Sequence, residues 1–192
     1  EIVRIIHNSA SQLQELIEDL LNFSTVQVGP PVLNRSAVDL KALTQEVIET
    51  HKPAIMAKEL ALDCRLEPVT LNGDREKLRT VLDNLLSNAV KFSPQGGELV
   101  VSILCEADQV HMDVVDSGPG IQLADPQRVF EAFFQGNDQA EGYIKGSGLG
   151  LSISREYINA HHGSIRLVDG GERGAHFRVS LPIDGDPPAE AA

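Results

Sequence analysis

Two asparagines and a lysine fall close together in Asp83-Asn84-Leu85-Leu86-Ser87-Asn88-Ala89-Val90-Lys91. On a helix turning about 100° per residue, Asn84, Asn88 and Lys91 share one narrow edge, beside a core face of Leu78, Val81, Leu82, Leu85 and Ala89. Two amide carbonyls and one ammonium then project next to an apolar floor. Amide oxygens can ligate magnesium, a hard cation satisfied by oxygen donors. A lysine one turn on can meet a phosphate as a point charge. Taken alone, two solvated asparagines on an exposed edge explain the pattern equally well.

A second candidate is Asp116-Ser117-Gly118-Pro119-Gly120, directly after the strand pattern ending in Val114-Val115. A carboxylate followed by two glycines leaves room for a flat ring to approach the backbone. Ionised Asp only accepts hydrogen bonds, so it suits the exocyclic amine of adenine. An ordinary Asp-Gly turn is the simpler reading of this segment by itself.

Lys145-Gly146-Ser147-Gly148-Leu149-Gly150-Leu151 opens a helical pattern. Alternating glycines let backbone N–H groups crowd a phosphate at a helix N-terminus. No Gly-Lys-Ser/Thr follows four spacers, so this is not a P-loop. It does not directly follow a strand, so it is not the dinucleotide fingerprint. Gly171-Glu172-Arg173-Gly174-Ala175-His176-Phe177 precedes the last strand pattern and could be a hairpin turn or the back of an adenine site.

These segments need elements to hold them. Ile2, Ile6, Ser9, Leu13, Leu16, Leu20 and Phe23 alternate steps of three and four, the seam of one long coiled-coil-like helix over residues 1–28. Gly29-Pro30-Pro31 stops it, and residues 29–38 read as a linker. Asp39 can cap a helix carrying Leu40, Leu43, Val47, Ile48 and Ile55. Leu60–Leu66 alternates as a strand, Asn72-Gly73-Asp74 reads as a turn, and Asp74 can cap the asparagine helix. Leu99–Cys105 and Val110–Val115 form a hairpin pattern around Glu106–Gln109. A short helix near Pro126–Phe130, a helix over Leu149–Ala160, and strands at Ile165–Val168 and His176–Leu181 follow. Strands and helices mix without strict alternation, which favours a two-layer α/β sandwich with a mixed sheet packed on helices. Residues 184–192 are acidic, Pro- and Ala-rich, and read as a disordered tail.

The chain of 192 residues carries a formal charge of −12, which argues against nucleic acid as a partner. Cys64 and Cys105 sit in apolar runs, read as core residues, and form no CxxC pair. No apolar stretch approaches the roughly 20 residues of a membrane helix, so no membrane contact is expected within these residues. The chain opens inside a helical pattern, which reads as a fragment of something longer.

In this order and spacing, the segments resemble the catalytic domain of sensor histidine kinases. The asparagine helix is similar to the N box and Asp116–Gly120 to the first glycine box. Phe130-Glu131-Ala132-Phe133-Phe134 is similar to the F box, Gly146–Gly150 to the second glycine box, and Gly171–Phe177 to the last. The resemblance covers about residues 33–183, taken as an ATP-binding domain over 39–183. Residues 1–28 resemble the second helix of the dimerisation hairpin, with its Leu-Leu-Asn-Phe-Ser ending.

The resemblance implies a Bergerat-type sandwich that binds ATP and Mg2+. Asn88 would ligate magnesium with Asn84 assisting, Lys91 would contact phosphate, and Asp116 would bond the adenine amine. Phe92, Gly118, Gly120, Ile121, Phe133 and Gly174 would shape the pocket. Lys145, Gly146, Ser147, Gly148, Leu149 and Gly150 would wrap the phosphates. Residues about 135–147 would form a mobile lid, anchored by burial of Phe130 and Phe133. The resemblance also implies an acceptor helix, a homodimer partner, a response regulator, and the cytoplasmic portion of a bacterial inner-membrane sensor.

Three departures stand out. Phe92 and Gln135 replace the frequent Tyr and Arg, with Lys145 a candidate substitute cation, and Ala175 lacks the usual hydroxyl. The acceptor helix should carry His, an acidic residue and a nearby Pro. His7, followed by Asn8-Ser9, does not fit, so these residues should bind ATP without autophosphorylation. His161-His162 reads as a helix cap or a solvated pair. Related ATPases place a water-activating Glu on the N-box helix, where Asn84 stands here. An amide is no general base, which favours phosphotransfer over an ATPase. A nucleotide-binding scaffold is the other alternative.

Overall fold

Asp39 ends one element and begins the next. The structure, a computed structural model, describes Ile17, Leu21 and residues 29–121, 126–134, 147–168 and 174–183. In it β1 (Ser36–Asp39) runs straight into α1 (Leu40–Ala57). The Asp39 carboxylate accepts from the Ala42 N–H at 2.9 Å, satisfying one of the donors every helix N-terminus leaves unpaired. Then come β2 (Ala61–Leu66), β3 (Thr70–Gly73), α2 (Arg75–Phe92), β4 (Glu98–Glu106) and β5 (Gln109–Asp116). A 3-10 turn at Pro126–Phe130, α3 (Gly150–Ala160), β6 (Ser164–Val168) and β7 (His176–Pro182) complete the order.

Five strands form one sheet in the order β2-β4-β5-β7-β6. β2 is parallel to β4 and the other neighbours are antiparallel, so the sheet is mixed, as expected. Leu99, Val101 and Ile103 of β4, Val110, Met112 and Val114 of β5, and Phe177, Val179 and Leu181 of β7 are all buried. Their spacing of two puts them on one face. That face, the apolar stripes of all three helices and Phe130 form a single core. The result is an α/β sandwich with helices on one side of a mixed sheet.

On the other sheet face Asp113 is buried against charge. It accepts from Arg178 Nε at 2.7 Å, from Arg178 Nη2 at 3.1 Å, and lies 2.6 Å from His176 Nε2. Desolvation would raise its pKa. The bonds and charges of Arg178 and His176 outweigh that and hold it below the ordinary carboxylate range.

Four expectations change. Asn72-Gly73 is not a free turn: it ends β3, which pairs antiparallel with β1, Ser36 opposite Gly73. The linker assigned to residues 29–38 therefore contains most of a strand that pairs 34 residues later, a partner no local pattern reveals. Cys64 and Cys105 are exposed: Cys64 lies on the edge strand β2, and Cys105 at the far end of β4. His161 ends α3 but is buried rather than solvated. Its Nδ1 lies 2.7 Å from the Tyr157 carbonyl, and its Nε2 accepts the Asp74 N–H at 2.9 Å. The long helix of residues 1–28 and the tail from 184 lie outside the described residues, apart from Ile17 and Leu21. Among the described residues no helix is long and apolar enough to cross a membrane.

His161 joins two helices. A carbonyl only accepts and a backbone N–H only donates, so the ring is neutral with its proton on Nδ1. Asp74 in turn caps α2, accepting from the Glu76 and Lys77 N–H groups at 3.1 Å, and it holds Asn34 N–H and Lys77 Nζ at 2.9 Å. Burial lowers the His161 pKa from its ordinary 6.5. The unfolded chain takes up a proton before the folded one does. The stabilisation is therefore complete above about pH 6.5 and is lost as pH falls from there toward the lowered native pKa. His161→Ala should cost about 2–4 kcal/mol by urea denaturation, from an unpaired Asp74 N–H and a cavity. It should also remove part of the stability loss below pH 6.5.

Candidate functional site

The asparagine helix is α2, and its sequence divides it as a site wall must be divided. Leu78, Val81, Leu82, Leu85, Leu86, Ala89 and Val90 are buried. Asn84, Asn88 and Lys91 remain half-buried on the adjoining edge. Lys91 Nζ stands 5.0 Å from the centre of the Phe92 ring. The helix end is capped by a residue the sequence did not flag. Lys58 Nζ donates to the carbonyls of Val90, Lys91 and Ser93 at 2.9, 2.7 and 2.9 Å. A cation at a helix C-terminus answers both its unpaired carbonyls and its dipole. No local signal marks Lys58, because its partners lie more than 30 residues away.

Asn84 is not the solvated amide of the simpler reading. Its Nδ2 donates to the Gly150 carbonyl at 3.0 Å and to Ser154 Oγ at 3.2 Å. The first turn of α3 is thereby tied to the middle of α2. Gly150 eases the approach: a Cβ there would lie 3.1 Å from both Cγ and Oδ1 of Asn84, tighter than ordinary contact.

Asp116 closes the other end. It is 8% exposed, and its Oδ1 accepts from the Gly118 N–H at 2.8 Å and the Ala175 N–H at 3.0 Å. Burial raises its pKa, opposed by those two bonds. The missing hydroxyl at Ala175 is thus answered in part by its backbone. Gly174 N–H donates to the Gly118 carbonyl at 3.0 Å, joining the two glycine segments. A Cβ on Gly174, at φ +83, would lie 1.7 Å from the Asp116 carbonyl oxygen, and one on Gly118 would lie 2.8 Å from that of Phe92. Only glycines allow these three backbones to meet. Ile121, just past this turn, is exposed.

The Phe130–Phe134 segment corrects one expectation. Phe130 is fully buried, edge-on to Phe177 with centroids 6.2 Å apart. Phe133 is 60% exposed and takes φ +63. Its backbone makes the attachment instead: Phe133 N–H donates to the Gly148 carbonyl at 2.9 Å. That turn rotates the side chain away from the core. Ser147 Oγ accepts from the buried Leu149's N–H at 3.1 Å. Lys145, Gly146, Gln135 and the lid span 135–146 lie outside the described residues.

The arrangement offers an open amide-lined edge, a buried carboxylate framed by bare glycine backbone, and a helix N-terminus tied between them. The chain belongs to the histidine kinase-, DNA gyrase B- and HSP90-like ATPase family, whose model matches residues 73–185. Among its relatives are sensor histidine kinases. GlrK of Escherichia coli is 36% identical over 95% of this chain and 38% of its own length. The circadian input-output histidine kinase CikA of Thermosynechococcus vestitus is 33% identical over 97% of this chain and 26% of its own. This chain therefore spans well under half of those relatives. Full-length ShkA, solved in complex with AMPPNP, superposes with a TM-score of 0.82 at 27% identity, covering 97% of this chain and 39% of that one. The catalytic domain of the histidine kinase ThkA gives 0.70 at 25% identity, covering 79% of this chain and 97% of that one.

Gly174→Ala should be among the most damaging single-methyl changes in the domain. Its Cβ meets backbone rather than a flexible side chain, and the φ is strained for any L residue. A loss of about 3 kcal/mol or more is expected in thermal or urea melts, while Gly96→Ala, where a Cβ meets nothing within 4 Å, should cost only the strain of its positive φ.

Proposed function

We propose that this chain is the ATP-binding catalytic unit of a sensor histidine kinase. It would transfer the γ-phosphoryl group of ATP to a histidine on a dimerisation helix, for onward transfer to a response regulator. The observation that carries this reading is the tie between Asn84 and the start of α3. It joins the amide edge of α2 to the glycine segment that opens α3, and the resemblance aligns this non-basic amide with the carboxylate of the hydrolytic members of the family.

The residues present fit a nucleotide and a divalent cation. Asn88 and Asn84 would supply oxygen donors, with Asn84 Oδ1 beside the bare Cα of Gly150. Magnesium bound there would neutralise charge on the phosphate oxygens. Lys91 would add a further positive charge at the phosphates. Asp116, with Oδ1 held by two backbone N–H groups, would offer its carboxylate to the adenine amine. Phe92, Gly118, Gly120, Ile121 and Gly174 would border the base. Gly146, Ser147, Gly148, Leu149 and Gly150 would surround the phosphates, with Lys145 and Phe133 at the lid. Catalysis in such a site rests on positioning and charge neutralisation rather than on a base. Residues 1–28 would pair with an acceptor helix and a second subunit, and the unit would work on the cytoplasmic side of a membrane sensor.

Asn88→Ala should abolish magnesium-dependent ATP binding in calorimetry while leaving the melting temperature within a few degrees. Unchanged affinity would remove Asn88 from the site. The direct test supplies a separately expressed acceptor hairpin with γ-labelled ATP. Acid-labile, base-stable label on the hairpin is the expected result. Release of inorganic phosphate without transfer would instead favour the ATPase reading.

A further inference from the structure

The orientation of Asn84 is determined by a residue outside every glycine and asparagine motif. Ser154 lies one turn into α3 and is fully buried. Its Oγ donates to the Gly150 carbonyl at 2.8 Å and receives Asn84 Nδ2 at 3.2 Å. The same Gly150 carbonyl also accepts from Asn84 Nδ2, at 3.0 Å.

This closed triangle leaves no freedom in the assignment of the amide. The Gly150 carbonyl can only accept. The Ser154 hydroxyl spends its single hydrogen on that carbonyl, so toward Asn84 it too can only accept. Both partners therefore require the amide nitrogen. The Asn84 oxygen makes neither of these bonds and lies beside the bare Cα of Gly150, 3.1 Å from where a Cβ would sit. A flipped amide would set its oxygen against the Gly150 carbonyl, which can only accept. It would also present N–H hydrogens, not a lone pair, to a cation.

We infer that Ser154 is a positioning residue for the magnesium-nucleotide site: its buried hydroxyl locks the Asn84 amide so that Oδ1 faces the cation. The inference rests on the proposed reading of the α2 edge and deepens it. Two bonds instead of one hold the nitrogen in place. Losing the serine acceptor lets the amide rotate about Cβ–Cγ and lowers the fraction of molecules with the oxygen correctly set. Coordination by Asn88 survives, so the defect appears as weaker use of the cation and not as loss of the site. Geometry lost at a supporting partner commonly costs about 10-fold in metal affinity or activity.

The test uses the whole chain and three readouts. In Ser154→Ala, the magnesium concentration giving half-maximal binding of a non-hydrolysable ATP analogue should rise about 3- to 10-fold, the range set by one hydrogen bond. Binding at saturating magnesium should stay close to that of the parent chain. Without metal or nucleotide, the side-chain amide protons of Asn84 should exchange slowly in the parent by NMR. They should lose protection in Ser154→Ala. Ser154→Thr, which keeps the hydroxyl, should restore the slow exchange and the magnesium requirement. An unchanged magnesium requirement in Ser154→Ala, with Asn88→Ala still abolishing binding, overturns the role of Ser154 and leaves the site reading standing. Magnesium-dependent binding that survives Asn88→Ala overturns the site reading itself. Equal loss of binding at every magnesium concentration in both Ser154 variants, with lowered melting temperatures, assigns Ser154 to packing alone and also overturns the inference.

Discussion

Helix α2 must satisfy the core and the pocket at once, and most of the domain is arranged around that demand. Seven of its side chains are buried against the sheet and its neighbouring helices. Burying one such aliphatic side chain is worth about 1.5–3 kcal/mol, so rotation of α2 about its own axis is strongly opposed. A half-buried polar edge follows from the same 3.6-residue period. Asn84, Asn88 and Lys91 can be aimed only because the apolar stripe beside them cannot move.

The ends of α2 are held as firmly as its face. Asp74 caps the N-terminus and at the same time holds the incoming chain at Asn34. Its pKa is lowered because Lys77 and the backbone N–H groups outweigh its desolvation. His161 reaches the same cap from the end of α3. At the other end Lys58 collects three carbonyls. Each contact links segments 30 or more residues apart, apart from the local cap itself. The first turn of α3 is fixed by Asn84 and its last by His161, so the two helices that flank the pocket share a common frame. The polar groups that make these contacts are satisfied, which is what lets them be buried, while the Ser93 hydroxyl at the end of α2 is buried without a hydrogen-bond partner.

The pocket is made of backbone more than of side chains. Gly118, Gly120, Gly148, Gly150 and Gly174 stand where a Cβ would press on a neighbour. The chain is strongly acidic, yet the polar edge of α2 carries amides and one lysine. Asp116 lies at the other end, buried and hydrogen-bonded to the Gly118 and Ala175 backbone.

The periodicities of the chain determined the α/β class, the apolar face of α2, the hairpin of β4 and β5, and the caps at Asp39 and Asp74. All of these are local: a stripe, an alternation or a capping side chain is written in adjacent residues. The order of the glycine and asparagine segments was likewise enough to indicate a nucleotide site of the kinase type. Tertiary structure alone decided the rest. It paired β1 with β3 across 34 residues, exposed both cysteines, buried His161, and turned Phe133 outward. It also brought Gly174 onto Asp116, Lys58 onto the end of α2, and Ser154 onto Asn84. Those outcomes depend on which distant group supplies a hydrogen bond or covers a surface, and neighbouring residues carry no information about that. The asparagines named themselves by spacing; the partners of Asn84 Nδ2 were supplied only when α3 packed against α2.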